Sequence, residues 1–187
     1  MDAGALGRGT QGPAVTAPLV LTLRLDVDTQ GRFDALRREH FPPDRNHLDA
    51  HVTLFHAVPG RFLSRVLADA DDLAPPSPLP LLVTGVRFLG RGVAYDLDCP
   101  GAAHLRAELA RRWVDLLTPQ DRQRWRPHVT VQNKVSPETA RELSATLARA
   151  FAPTPATATG LAVWRYLGGP WEAVAEVPFA TRGPSAE

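Results

Sequence analysis

AHVTLF at residues 50–55 and PHVTVQ at residues 127–132 contain the same tripeptide, His-Val-Thr, each time within an apolar run. Successive side chains on a β-strand point to opposite faces, so the histidine and threonine of each copy share one face. The valine between them and the apolar residue that follows point the other way, into a core. Each copy therefore predicts an imidazole and a hydroxyl side by side on a strand anchored in the core.

The repetition is informative because the chain has only 6 histidines among 187 residues. Composition alone predicts far fewer than one chance copy of His-Val-Thr, whereas a single copy would be explained equally well by an ordinary packed or solvated histidine. If the two strands face each other across a cleft, their imidazoles can supply an acid and a base, and their hydroxyls can hold a phosphate. We therefore expect an enzyme that acts on a phosphate group.

Length and composition are those of an ordinary globular protein, with 44% hydrophobic and 22% charged residues. The chain is long enough for a sizeable core in one domain or in two small lobes. A net charge of +1 argues against strong nonspecific binding of long nucleic acids. Cys99 is the sole cysteine, which excludes an intrachain disulfide and disfavours a cysteine-based zinc site. Without a transmembrane-length apolar stretch or a signal-peptide pattern, we expect no membrane partner and a cytoplasmic location.

The order of the predicted elements also repeats along the chain. Periodicity predicts strand, helix, strand, helix, strand over residues 18–90, and the same order over residues 91–180, with His-Val-Thr on the middle strand each time. We expect flexible tails at residues 1–17 and 181–187, flanking one bilobal domain at residues 18–180. The duplication predicts an α+β fold of two lobes, whose mostly antiparallel sheets face a central cleft with the helices outside.

Local patterns place the individual elements. Ser136 can cap a helix that has Pro137 in its first turn. Gly90-Arg91-Gly92 and Gly168-Gly169-Pro170 are typical of turns between strands. Helices are predicted at residues 31–41, 61–73, 101–117 and 136–151. Strands outside the motifs are predicted at residues 18–26, 79–89, 93–98, 159–167 and 171–179.

With its two motifs in HVTLFH and RPHVTVQNKV, the chain resembles the 2H phosphoesterase superfamily, which includes 2′-5′ RNA ligase and RNA 2′,3′-cyclic phosphodiesterase proteins. That superfamily has two His-x-Thr/Ser motifs in two lobes, and the resemblance extends from Leu19 to Phe179. It implies that His51 and His128 act on a phosphodiester and that Thr53 and Thr130 bind its oxygens.

The chain departs from some members of that superfamily at one point. Those members place an arginine near the substrate phosphate after the second motif, whereas here Thr130 is followed by Val-Gln-Asn-Lys. Lys134 or Arg126 would take that role in this chain.

Four further residues near the motifs have weaker assignments. On an unbroken strand Phe55 shares the face of the first motif, which makes it a candidate for stacking on a base, with core packing as the alternative. His56 would face the other side and is expected to be structural or to lie at the rim of the cleft. Arg122 and Arg124 are expected to belong to a solvated basic loop.

The expected reaction opens a 2′,3′-cyclic phosphate to a 2′-phosphate. One histidine takes a proton from water and the other gives one to the departing ribose oxygen, from opposite sides because attack and departure are in line. The sequence does not decide which histidine is the base. The same pair could join a cyclic phosphate end to a 5′-hydroxyl, giving a 2′-5′ linkage. We expect no cofactor, no metal, and a monomer without an obligatory protein partner, acting on RNA ends or small nucleotides.

Two alternatives remain. A metal site could be imagined from His51, His128 and Asp49, although a metal needs three or four convergent ligands. A noncatalytic RNA- or nucleotide-binding module of the same fold would bind a cyclic nucleotide without converting it.

Overall fold

The computed structural model describes residues 16–180, so the predicted tails lie outside the described residues apart from Thr16 and Ala17. This part of the chain forms a seven-stranded antiparallel sheet with helices against it. The strands are β1 (Leu19–Leu25), β2 (Val52–Val58), β3 (Leu79–Phe88), β4 (Val93–Asp98), β5 (His128–Gln132), β6 (Thr154–Tyr166) and β7 (Trp171–Pro178). The helices are α1 (Val27–His40), α2 (Leu63–Asp72), α3 (Pro100–Arg112) and α4 (Pro137–Ala150). Between residues 16 and 180, no helix has both the length and the apolar character that a membrane crossing requires.

The predicted α+β class with antiparallel pairing is confirmed, and the strand order shows how the two halves are joined. Hydrogen bonding runs β2-β1-β6-β3-β4-β5, with β7 also paired to β6. β6 connects the two halves of the sheet. Its first residues pair with β3 and its later residues pair with β7, while residues Leu19 to Leu25 of β1 pair along its other edge. Each half of the sheet therefore combines strands from both halves of the sequence.

The two motif strands lie at the ends of this order, yet β2 and β5 contact each other. Two side chains help to hold β2 and β5 close to each other. The Trp125 indole Nε1 donates to the Thr53 carbonyl at 2.8 Å. The buried Arg37 of α1 donates from Nη1 to the Thr130 carbonyl at 2.7 Å and from Nε to the Leu48 carbonyl at 3.2 Å. The sheet thus closes around a cleft between the motifs.

The alternation predicted for both motif strands is confirmed. Val52, Leu54, Val129 and Val131 are fully buried, whereas the histidine and threonine of each motif are partly exposed. Burying each such aliphatic side chain contributes about 1.5–3 kcal/mol, so the apolar residues fix which way the polar ones point. The core therefore holds the functional face of each strand in position.

β2 departs from a regular strand immediately after its motif. Leu21 pairs with Phe55 while the next residue, Thr22, pairs with Thr53, so β2 has an extra residue at this point. A β-bulge of this kind reverses the alternation of the residues beyond it. Leu54 and Phe55 are consequently both buried, and His56 is exposed.

Three elements differ in extent from the sequence prediction. α1 begins before residue 31 because Asp26 caps it, accepting from the Thr29 amide at 2.9 Å and from the Thr29 hydroxyl at 2.7 Å. α3 ends before residue 117 because Trp113, its C-cap, turns into the core and donates to Asp69 at 2.8 Å. β6 begins at Thr154 rather than residue 159, because pairing with β3 extends it through a proline that locally disfavours a strand.

Candidate active site

The structure brings the four motif side chains together. His51, Thr53, His128 and Thr130 line one cavity of about 270 Å³ between β2 and β5. The motifs are 77 residues apart in the sequence, so this meeting depends on the closure of the sheet rather than on local structure.

The two histidines are held in the same way. His51 Nδ1 lies 2.8 Å from the Asp49 carbonyl oxygen, and His128 Nδ1 lies 2.9 Å from the Arg126 carbonyl oxygen. A carbonyl oxygen only accepts, so each Nδ1 carries a hydrogen and donates it. The Nε2 atom of each ring is left to take up a proton when the ring is neutral and to donate one when it is charged. Both rings are therefore oriented for proton transfer through Nε2.

Both threonines present their hydroxyls without a competing partner. Their backbone carbonyls accept the hydrogen bonds from Trp125 and Arg37. Within residues 16–180, neither Thr53 Oγ1 nor Thr130 Oγ1 forms a hydrogen bond to the protein. Both hydroxyls are thus free to donate to an anion placed between the motifs.

The pKa of His51 is lowered from 6.5, chiefly by burial of its ring deep in the cleft, although part of its surface stays accessible. The Asp49 carbonyl works against this effect, while the charges of Arg37, His128 and His56 add to it. The Trp171 ring contributes to the burial, since its centroid lies 4.9 Å from that of the His51 ring. At neutral pH His51 is accordingly in its neutral form, which suits a base.

A third histidine lines the same cavity. His56 Nδ1 lies 3.0 Å from Oδ1 of Asp121, whose side chain is fully buried. Asp121 also accepts from the backbone amides of His56 and Ala57, at 2.9 and 3.1 Å. Burial alone would raise the pKa of Asp121, but these hydrogen bonds outweigh it and hold the pKa below its ordinary value. Asp121 is therefore a carboxylate that fixes the imidazole of His56.

Two further cavities adjoin the first and share His51 with it. One, of about 560 Å³, continues past Thr130 to Lys134 and Tyr166. The other, of about 420 Å³, is lined by Trp164 and Trp171 among other residues. The motif residues consequently sit at a junction from which a cleft extends in more than one direction, which leaves room for a ligand larger than a phosphate ion.

Comparison with known proteins identifies the family. The model of the 2′-5′ RNA ligase superfamily matches residues 25–170 of this chain. The chain belongs to the 2′-5′ RNA ligase superfamily. Its resemblance to the 2H phosphoesterases is thereby confirmed, and membership supports an enzyme of the phosphoesterase or 2′-5′ RNA ligase type. No protein with a curated description matches the chain in sequence.

Solved structures share the fold of this superfamily member. The protein TT0787 of Thermus thermophilus is 16% identical, with a TM-score of 0.63 over 89% of this chain and 100% of its own. A crystallised phosphoesterase is also 16% identical, with a TM-score of 0.60 over 88% of this chain and 99% of its own. E. coli LigT in complex with 3′-AMP is 15% identical, with a TM-score of 0.59 over 88% of this chain and 98% of its own. At these identities the likeness establishes the fold.

The two candidates for the missing superfamily arginine lie in different cavities. Arg126 lines the cavity that holds both motifs, and its carbonyl orients His128. Lys134 lines the neighbouring cavity with His51 and Thr130, at the end of β5 where its backbone adopts a φ of 62°. Their roles in binding phosphate stay predictions, with Arg126 on the same side as both imidazoles.

Two expectations about the neighbouring residues are wrong. Phe55 is fully buried against Trp113, with ring centroids 5.1 Å apart, so it cannot stack on a base. His56 faces the motif side rather than the opposite side. Both errors have one cause, the β2 bulge, which alternation along the sequence does not reveal. Arg122 and Arg124 are both exposed, as expected of a solvated basic loop. Arg122 donates to the Val114 carbonyl, and Arg124 also lines the motif cavity.

The metal alternative gains no support from the geometry of the described residues. Between residues 16 and 180, no group of three His, Cys, Asp or Glu side chains is placed to hold a metal ion. In the imagined set, Asp49 meets His51 through its backbone carbonyl rather than its carboxylate.

Proposed function

We propose that this protein is a metal-independent phosphodiesterase that opens the 2′,3′-cyclic phosphates of RNA ends or nucleotides to 2′-phosphates by two-histidine acid and base catalysis. The observation that carries the proposal is the pair of imidazoles, each donating Nδ1–H to a carbonyl and each lining the same cavity beside a free threonine hydroxyl. E. coli LigT, which shares the fold, has been crystallised with 3′-AMP and with phosphate. Nucleotide phosphates are therefore ligands of at least one protein built this way.

In the proposed reaction His51 is the base. Its lowered pKa favours the neutral ring, whose Nε2 takes a proton from the attacking water. The water oxygen forms a bond to phosphorus while the bond from phosphorus to the ribose 3′-oxygen breaks. Attack and departure are roughly in line, so the acid must stand on the far side of the phosphorus from the base.

His128 is then the acid. Its protonated ring donates from Nε2 to the departing 3′-oxygen, which leaves a 3′-hydroxyl and a 2′-phosphate. Thr53 and Thr130 donate to the non-bridging oxygens and hold the phosphorus between the two rings. Each proton transfer contributes about 10²–10⁴-fold to the rate. The turnover leaves His51 charged and His128 neutral, and exchange of one proton with solvent restores the starting state.

The same groups serve a second nucleophile. A 5′-hydroxyl in place of water would give a 2′-5′ linkage without ATP, with His51 and His128 in the same roles. Water at about 55 M outcompetes a dilute RNA end, so hydrolysis is the dominant reaction in dilute solution.

The test is turnover of a 2′,3′-cyclic mononucleotide, with the product resolved by chromatography against 2′- and 3′-monophosphate standards. We expect the 2′-phosphate alone, in the presence of excess EDTA. His51→Ala and His128→Ala should each lower kcat about 10²–10⁴-fold. His104→Ala, at an exposed histidine of α3, is the matched control and should be as active as the wild type. Binding without turnover would instead favour the noncatalytic module, and loss of activity with EDTA that metal restores would refute the mechanism.

A further inference from the structure

The feature that the two-histidine mechanism does not use is the pair formed by His56 and Asp121. Asp121 already has backbone partners in the amides of His56 and Ala57, and a hydroxyl partner in Thr118 at 3.3 Å. The buried carboxylate is thus satisfied without the imidazole, which adds a further hydrogen bond at 3.0 Å. The His56 side chain remains 46% exposed, so core packing does not account for the presence of a histidine at this position either.

The pairing gives the His56 ring a defined orientation toward the cavity. Asp121 holds Nδ1, so the free ring nitrogen, Nε2, is on the side away from the carboxylate. A charged ring donates from Nε2 while Nδ1 keeps its hydrogen bond to Asp121. Nε2 of a charged His56 ring is therefore a donor held beside the two motifs, in the same cavity.

The cavity has more positively charged side chains than one cyclic phosphate would neutralise. Four arginines line it, and among the described residues Asp121 is its single acidic lining residue. Arg87 is neutralised by an ion pair with Asp96. Arg106 is engaged by the carbonyls of Leu54 and Asp121, at 3.0 and 2.7 Å. A 2′,3′-cyclic phosphate carries one negative charge, so positive groups remain for a second anion.

Of the two arginines that remain, Arg126 is the candidate for the cyclic phosphate, and Arg124 lines the same cavity as His56. Its own loop is anchored beside the first motif, because the next residue, Trp125, donates to the Thr53 carbonyl. Within the described part of the chain, the Arg124 guanidinium has no ion-pair partner. The whole chain has a net charge of only +1, so this concentration of positive charge is a property of the cavity and not of the protein surface in general.

We propose that His56 and Arg124 form a second phosphate subsite, which binds the phosphodiester on the 5′ side of the terminal ribose. This inference rests on the proposed function and narrows its substrate class. The preferred substrate is an RNA end of at least two nucleotides that terminates in a 2′,3′-cyclic phosphate, rather than a cyclic mononucleotide. Bound RNA then places its terminal phosphorus between His51 and His128 and its preceding phosphate at His56.

The test compares two product-like ligands by calorimetry: a mononucleotide 2′-phosphate and the dinucleotide that ends in the same nucleotide and 2′-phosphate. The wild type should bind the dinucleotide about tenfold more tightly, the gain expected from one charge-assisted hydrogen bond. His56→Asn keeps a side-chain donor for Asp121 but lacks Nε2, and should reduce this ratio to near one. Arg124→Ala should also lower the ratio and make dinucleotide binding less sensitive to salt. His104→Asn, at the exposed histidine of α3, is the control and should keep the wild-type ratio.

The inference is overturned if the wild type shows no preference for the dinucleotide, if it binds neither ligand, or if His56→Asn leaves the ratio unchanged. An equal loss of affinity for both ligands would also overturn it, because that result indicates a general structural role. Turnover assays on cyclic-phosphate substrates of the same two lengths judge the proposed function separately. Absence of turnover refutes the phosphodiesterase activity, whereas turnover without a His56-dependent length preference refutes only the second subsite.

Discussion

Removal of the two threonine hydroxyls separates binding of the phosphate from stability of the fold. Valine has the shape of threonine without the hydroxyl, so Thr53→Val and Thr130→Val keep the β-branched side chain and the backbone carbonyls that Trp125 and Arg37 use. A hydrogen bond to a charged group contributes about 1.5–3 kcal/mol, which corresponds to roughly 10–150-fold. Each variant should lose that factor in kcat/KM. Because neither hydroxyl has a partner within the described residues, the free energy of unfolding should change by less than about 0.5 kcal/mol.

The assay is steady-state turnover of a cyclic-phosphate substrate, with urea unfolding run in parallel. Thr159→Val provides the matched control, since Thr159 is a partly exposed threonine of β6 that lines none of the cavities described above. It should keep wild-type kcat/KM. Full activity in both motif variants would refute the assignment of the hydroxyls to the phosphate. A loss of stability large enough to account for the lost activity would refute that assignment as well.

Two further predictions concern the imidazole base and the strand that carries the second motif. The acidic limb of the kcat/KM–pH profile should have its midpoint below 6.5, because activity appears as His51 loses its proton and burial lowers the pKa of that ring. Trp171→Ala uncovers the ring and should move that midpoint upward, toward 6.5, and an unmoved limb would show that another group is titrating. Gly92→Ala should lower the free energy of unfolding by about 2 kcal/mol, since the added Cβ would collide with the Gln132 carbonyl oxygen where β4 pairs with β5. Gly31→Ala, in open space on α1, should instead be stabilising by about 0.5–1 kcal/mol in the same urea titration, and equal effects of the two substitutions would contradict the steric argument.

The sequence was sufficient for those parts of the site that depend on local geometry. Alternation along each motif predicted that Val52 and Val129 would be buried while the histidines and threonines faced the cleft, and the structure has this arrangement. The duplicated motif and the repeated order of elements also predicted that two distant strands would meet. The burial pattern could be predicted because it follows the two-residue period of a strand, which core packing enforces, whereas the meeting of the strands was inferred from the duplication.

The rest depended on contacts between distant residues. The β2 bulge arises from the register between β1 and β2, and it alone places Phe55 in the core and His56 in the cavity. Asp121 lies 65 residues from His56, and no local pattern links them. The early start of α1, in contrast, could have been predicted from the sequence. Aspartate is a favoured N-cap residue, and Asp26 caps the amide of Thr29, three residues later.

A crystal structure with a 2′-mononucleotide bound would show directly whether both histidines act on one phosphate. We expect the phosphate between the motifs, with Nε2 of His51 and of His128 on opposite sides of the phosphorus and both threonine hydroxyls within hydrogen-bond distance of its oxygens. A phosphate that contacts only one imidazole, or that binds outside this cavity, would contradict it.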